Sequence, residues 1–208
     1  VTGCAGFIGY HLCLGLIKKK GFKLYGIDNI NNYYDIKLKK DRIKDLKRQK
    51  RKFNFYKIDI KDSRSLESNF IENKYDVVIN LAAQAGVRYS IEKPKSYFDS
   101  NLQGYFNILE SCRKINIKHL IFASSSSVYG DKNKFPLIET DNTDKPLSFY
   151  AASKKCNEVM SYAYSSIYKL PCTGLRFFTV YGPFGRPDMA LFKFIDSIDK
   201  EKSIDLFN

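Results

Sequence analysis

Tyr150 and Lys154 stand four residues apart, which puts a phenol and an ammonium one helical turn apart on the same face. A neighbouring cation favours phenolate, lowering a pKa of ~10 toward neutrality and fitting Tyr150 for proton exchange. The spacing alone says little, because Tyr33/Lys37 and Tyr89/Lys93 share it in a chain with 15 tyrosines. The third pair differs in context. It falls in a long helical pattern and follows Ser125, which ends a strand pattern in Ala123-Ser124-Ser125-Ser126-Ser127-Val128-Tyr129-Gly130. Ligands of open α/β sheets bind at strand C-termini, so the Ser125 hydroxyl and the Tyr150 phenol can meet over one substrate. A Ser-rich loop beside a surface tyrosine is the competing reading.

A glycine loop offers a second chemistry. Gly3-Cys4-Ala5-Gly6-Phe7-Ile8-Gly9 has the spacing GxxGxxG. Glycines so placed let the chain turn tightly and bring backbone N–H groups against a pyrophosphate at a helix N-terminus. Asp28 closes the next strand pattern nineteen residues after Gly9, where a ribose-binding acid belongs. A carboxylate there accepts from the adenosine 2′-hydroxyl and repels a 2′-phosphate, which predicts NAD rather than NADP. A simple capping or turn residue is the alternative for Asp28. Asp59 ends the following strand and is placed to reach an adenine amino group, with a solvated turn aspartate as its alternative.

These groups need a frame, and the chain alternates apolar runs with helical stretches. The patterns predict helices at Phe7 to about Lys20, over the basic run 37–52, from Ser63 to about Glu72, from Pro94 to about Ile115, and over 148–168. Strands are predicted at 23–28, 53–59, 76–83, 119–125 and 172–178, and IDLFN at 204–208 reads as the start of another. Buried strands separated by helices argue an α/β fold with a doubly wound parallel sheet. Only Val1 and Thr2 precede the glycine loop, so most of a first strand is expected to be missing. Both ends read as cut.

Composition narrows the class. The 208 residues are 44% hydrophobic and 15% aromatic, enough for a buried core and against bulk disorder. No apolar run approaches the ~18–20 residues of a membrane span, and no basic-then-apolar leader opens the chain. Cys4, Cys13, Cys112, Cys156 and Cys172 are scattered without CxxC spacing, so neither a disulfide framework nor a metal site is expected. A reducing cytoplasm fits. The formal charge is +13, of which +8 lies in residues 37–52. That run reads as a solvated helix with Ile36, Ile43 and Leu46 on its apolar face, in preference to a nucleic-acid patch. A positive surface also attracts an anionic nucleotide.

Taken together, TGCAGFIG (2–9), DN (28–29), NLAAQAGVRYS (80–90), NLQGYFNILE (101–110), SSSSVYG (124–130), YAASK (150–154) and RFFTVYGPFGRPDMA (176–190) resemble the extended short-chain dehydrogenase/reductase family, in its nucleotide-sugar epimerase and dehydratase branch. The resemblance covers essentially the whole chain. It implies a Rossmann domain over 1–175 that binds NAD, and the beginning of a nucleotide-sugar-binding lobe over 176–208. It implies Tyr150 as acid/base, Lys154 as its tuner and a nicotinamide-ribose ligand, and Ser125 holding the sugar oxygen. Gly3, Gly6, Phe7, Ile8, Gly9, Asp28, Asn29, Asp59, Ile60, Leu81, Ala82, Ala83 and Phe177 would line the cofactor, and Asn101 would support the catalytic helix. A homodimer is implied for the full-length protein.

The resemblance also bears on the reaction. Dehydratases of the branch carry Asp-Glu at the positions of Ser126 and Ser127, and decarboxylases carry Glu at the second; this chain offers hydroxyls only. Redox-neutral epimerisation at C4 of a UDP-sugar remains. The run 176–190 is most similar to the glucuronate 4-epimerases, with Thr179 where glucose epimerases usually place Asn. Arg186 would contact the diphosphate, and Arg88 either shapes the sugar pocket or forms a surface salt bridge. Epimerisation of UDP-glucose is the alternative. A nonenzymatic Rossmann sensor or RNA-binding relative using the 37–52 patch is the reading from another class, and retention of both Tyr150 and Lys154 disfavours it.

Overall fold

The structure, a computed structural model, describes residues 1–49, 53–132 and 135–204. Five parallel strands form its frame: β1 (Leu24–Asp28), β2 (Phe53–Lys57), β3 (Val77–Asn80), β4 (His119–Ser125) and β5 (Cys172–Phe177). β1 pairs with β2, and β4 lies between β3 and β5. Thr2 joins the two sets, bridging in parallel to Ile27 on one side and Asn80 on the other. Its N–H donates to the Ile79 carbonyl (2.9 Å), and Ile27 N–H donates to the Val1 carbonyl (2.9 Å). The strand order is thus β2-β1-Thr2-β3-β4-β5, and the order reverses at Thr2, where the glycine loop begins. This is the switch point at which open α/β sheets bind ligands.

Helices cover the sheet in two layers. α1 (Phe7–Ile17) and α2 (Ile36–Arg48) pack one face. There Cys4, Tyr10, Cys13, Ile17, Leu24, Ile43, Leu46 and Phe53 form one core. α3 (Ser63–Asn73) and the helices after β3 pack the other face. Ile27, Leu66, Phe70, Val78, Ile108, Leu109, Leu120 and Phe122 form the second core. Successive strand residues point to opposite faces, so Leu24 and Ile27 of β1 serve different cores. The doubly wound expectation holds for this frame, although Val77 and Leu175 remain exposed on β3 and β5.

Local chemistry sets the element ends. Asp35 caps α2 by accepting from Lys37 N–H (2.7 Å), and Asp62 caps α3 by accepting from Ser65 N–H (3.1 Å). α1 ends at Ile17 rather than near Lys20. β3 stops at Asn80, so Leu81–Ala83 leave the sheet instead of extending it. A short α4 (Tyr89–Glu92) precedes the helix expected over 94–115, which is itself broken into α5 (Pro94–Tyr97), a wide π-type turn at Phe98–Gln103 and α6 (Gly104–Lys114). α7 (Phe149–Tyr168) is continuous and capped by Ser148, which accepts from Ala151 N–H (3.1 Å). α8 (Ala190–Asp199) went unanticipated. Residues 205–208 of the expected last strand, and 50–52 of the basic run, lie outside the described residues. The basic helix is not wholly solvated, because its inner face buries Lys39 and Arg42 beside Ile43 and Leu46.

Candidate active site

The glycine loop is a cradle of bare backbone. Gly3 has φ +68°, and a Cβ there would sit 2.7 Å from the Ala82 nitrogen. A Cβ on Gly9 would collide with the Gly3 carbonyl oxygen. Gly6 starts α1 without any side-chain cap, which leaves the first-turn N–H groups of Phe7, Ile8 and Gly9 in the uncapped arrangement that suits an anion. Leu81 N–H donates to the Thr2 carbonyl (3.2 Å) and Ala82 N–H to Thr2 Oγ1 (3.2 Å), which holds 81–83 against the loop.

Asp28 closes β1 beside this cradle and braces it. Its Oδ2 accepts from Ala5 N–H (3.0 Å) and its Oδ1 from Ile30 N–H (2.8 Å). Burial pushes its carboxyl up, while those two amides and the charges of Lys39 and Arg42 pull it back. Asn29 Nδ2 donates to Asp59 Oδ2 (3.0 Å), so both residues stand on the same side of the sheet end. Ile60 turns its side chain into the core, against the space next to Gly104, and does not line the cradle with it.

At the C-terminal end of β4, Ser125 is buried and its Oγ accepts from Ser127 N–H (3.1 Å), capping a short turn over Ser126–Tyr129. Register places Phe177 of β5 directly beside Ser125. Tyr150 lies on the first turn of α7 with its phenol close enough to the Ser125 side chain for that hydroxyl to favour the phenolate. Lys154 is not among the groups that set the phenol's pKa in this arrangement. Burial raises the Tyr150 pKa, and what opposes the rise is the Ser125 hydroxyl and the charge of Arg186. Lys154 Nζ instead donates to the Ala123 carbonyl (2.9 Å), and its own pKa is lowered to about 8 by desolvation.

Asn101 fastens this helix. Its Oδ1 accepts from Gln84 N–H (2.8 Å), and its Nδ2 donates to the Gln84 carbonyl (3.0 Å) and to Ser153 Oγ (2.9 Å). Ser153 Oγ in turn donates to the Tyr150 carbonyl (2.7 Å), and Asn157 Nδ2 donates to the Asn101 carbonyl (2.6 Å). The π-type turn carrying Asn101 is what frees these groups to leave the helix ladder. A second brace was missed by sequence reasoning. Glu158, one turn past Lys154, takes Arg176 of β5 through both oxygens (2.9 and 3.0 Å) and Ser124 Oγ (2.6 Å). Its four-residue offset from Lys154 was the signal available.

The remaining candidates divide. Arg186 is mostly buried, donates through Nε and Nη2 to Asp188, and packs over the Tyr33 ring at 5.8 Å. Tyr33 Oη also donates to Asp188 Oδ2 (3.1 Å). Ser126 and Ser127 are half-buried beside Ser125, whereas Arg88 and Thr179 are exposed. Lys39 and Arg42 were read as surface charge and prove to be inner groups. Their three-residue spacing, in phase with Ile43 and Leu46, was the overlooked sign.

A family model described as the NAD dependent epimerase/dehydratase family matches residues 1–208. Protein CapI of Staphylococcus aureus is 54% identical over 208 residues, all of this chain and 61% of that protein. A probable UDP-glucuronate 4-epimerase of Rhizobium meliloti is 47% identical over 207 residues, again covering this whole chain and 60% of that protein. The crystal structure of UDP-glucuronic acid 4-epimerase from Bacillus cereus, in complex with UDP-glucuronic acid and NAD, superposes with a TM-score of 0.92 at 36% identity. It covers 100% of this chain and 64% of that one. The chain therefore spans about three fifths of the length of the proteins it matches.

Proposed function

Because this chain belongs to the NAD dependent epimerase/dehydratase family, we propose that it is part of an enzyme that inverts C4 of a UDP-sugar, with UDP-glucuronate as substrate and UDP-galacturonate as product. The observation that carries the reading is the meeting of Ser125 and Tyr150 at the end of β4, beside a cradle that only glycines can line. Relatives and solved neighbours of that activity support the substrate.

The residues present fit NAD. The Gly3–Gly9 backbone and the first turn of α1 suit its pyrophosphate, Asp28 its adenosine ribose, and Asn29 and Asp59 the adenine end. Leu81–Ala83 and Phe177 stand toward the nicotinamide end. When bound, NAD supplies hydride acceptance and return at C4. Tyr150 takes the proton of the sugar 4-hydroxyl and gives it back after the sugar has turned over. Ser125 holds the reacting oxygen against the phenol. Lys154 supplies a positive charge beside the ring once a ligand draws it from Ala123. Ser126 and Ser127 place hydroxyls where a carboxylate acid or base would be needed for dehydration, so the sugar is held and not dehydrated.

Thr179 and Arg186, in the segment 176–190, are read as the contacts to the sugar and the diphosphate. No helix among the described residues is long and apolar enough to cross a membrane. The five cysteines are free, which supports a reducing cytoplasm, and exposed Phe106, Val159 and Tyr162 on α6 and α7 support pairing with a second copy. Full-length protein incubated with UDP-glucuronate or UDP-glucose, with products resolved by chromatography and NMR, tests the reading. UDP-galacturonate should form and equilibrate with its epimer. Turnover of UDP-glucose alone would overturn the substrate, and turnover of neither would overturn the activity.

A further inference from the structure

Arg42 is 1% exposed on the inner face of α2. A guanidinium is buried at a cost that its hydrogen bonds offset, and here every donor but Nε is met. Its Nη1 donates to the Ala5 carbonyl (2.8 Å) and to Tyr34 Oη (2.7 Å). Its Nη2 donates to the carbonyls of Phe184 (2.5 Å) and Gly185 (3.3 Å). All four acceptors are neutral; the three backbone ones belong to two segments far apart in the chain, and Tyr34 lies in a third. Ala5 lies in the glycine loop, and its own N–H is the one that Asp28 accepts. Gly185 directly precedes Arg186. The segment around it is a tight loop, with Gly185 N–H donating to the Gly182 carbonyl (3.1 Å) and Met189 N–H to that of Arg186 (3.3 Å).

We propose that Arg42 is a positioning residue: its planar fork latches the Arg186 loop onto the glycine loop, so that the dinucleotide cradle and the nucleotide-sugar side hold one another in place. The inference rests on the functional reading above. Only a fork of several fixed donors can span both segments at once. Lysine, with one nitrogen, keeps the charge and loses the span. The bonds go to carbonyls, so what they fix is where the loop lies. Arg186 then acts from that position, and Arg42 acts through it.

Two measurements on full-length protein decide the matter. In calorimetric titration of NAD-loaded protein with UDP-glucuronate, Arg42→Lys should raise Kd tenfold or more. Arg186→Ala should weaken binding as much in the wild type, yet add less than threefold in the Arg42→Lys background, as expected for groups acting through one another. A full added penalty in the double variant would overturn the latch. The second measurement needs no ligand. Hydrogen exchange at 3–10 and 182–189 should quicken tenfold or more in Arg42→Lys, with 104–114 unchanged; unaltered exchange at 182–189 overturns the proposal. If Arg42→Lys does not fold, Tyr34→Phe removes one anchor and keeps the guanidinium. It should speed exchange at both segments at least twofold, and no change there overturns the latch. If wild-type protein does not bind UDP-glucuronate, the functional reading falls, and the exchange rates alone uphold or reject the latch.

Discussion

Lys154 Nζ lies 6.0 Å from the centre of the Tyr150 ring and donates to the Ala123 carbonyl, tying α7 to β4. The ammonium is buried, and desolvation lowers its pKa to about 8. A lysine so depressed binds fewer protons folded than unfolded between about 8 and the ordinary ~10.4. Stability therefore rises with pH through that window, because the unfolded chain holds the extra proton. The unfolding free energy of wild type, taken relative to Lys154→Met, should grow by about 1–3 kcal/mol between pH 7 and pH 10. Urea titrations of both proteins across that range measure it, and a flat difference would reject the buried, uncompensated ammonium.

Tyr150→Phe removes the phenol and keeps the ring that packs near Tyr97 at 6.1 Å. Turnover of full-length protein should fall ~10²–10⁴-fold, the contribution expected of a general acid/base. Bound NAD should stay, since the glycine loop and Asp28 are untouched. Retention of more than about a tenth of the wild-type rate would remove Tyr150 from that role, given the same expectation.

Gly9→Ala tests the cradle. The added Cβ meets the Gly3 carbonyl, which is backbone and has no flexible end to move aside. The loop must shift to admit it, so NAD released from denatured protein should drop to below about a tenth of one equivalent while the fold persists at reduced stability, on the order of 1–3 kcal/mol lower. Full cofactor content would show that the loop is not where the dinucleotide sits.

The order of strands and the helices between them was legible because parallel, buried strands leave unbroken apolar runs such as DVVINLAA. Tyr150, Lys154 and Ser125 were legible for a related reason: a helix and a strand end fix spacing that a reader can count. What escaped was set by tertiary contact. The break at Phe98–Gln103 serves Asn101, whose partners Gln84, Ser153 and Asn157 lie on other elements, so no local pattern announces it. Lys39 and Arg42 escaped because a charge is ordinarily solvated, and the acceptors that make their burial tolerable come from Asn31, Ala5, Tyr34 and Phe184, all outside the helix.

Thr179 follows β5 by two residues, and Phe177 at the end of that strand is in register with Ser125. Thr179 therefore leaves the sheet at the strand end that carries Ser125 on the neighbouring strand. Oxidation at C4 of a glucuronate gives a β-keto acid, which loses CO₂ if its carboxylate rotates out of plane with the ketone. Neutral hydroxyl donors can hold that carboxylate without the repulsion a glutamate would add. Thr179→Val keeps the shape and removes the donor, leaving a carboxylate oxygen unpaired at a cost of ~1–3 kcal/mol. kcat/KM for UDP-glucuronate should fall about ten- to a hundredfold, with some pentose product released. UDP-glucose lacks the carboxylate and should be affected much less. Equal losses on both substrates would mean that Thr179 does not select, and the glucuronate reading would lose its main physical support.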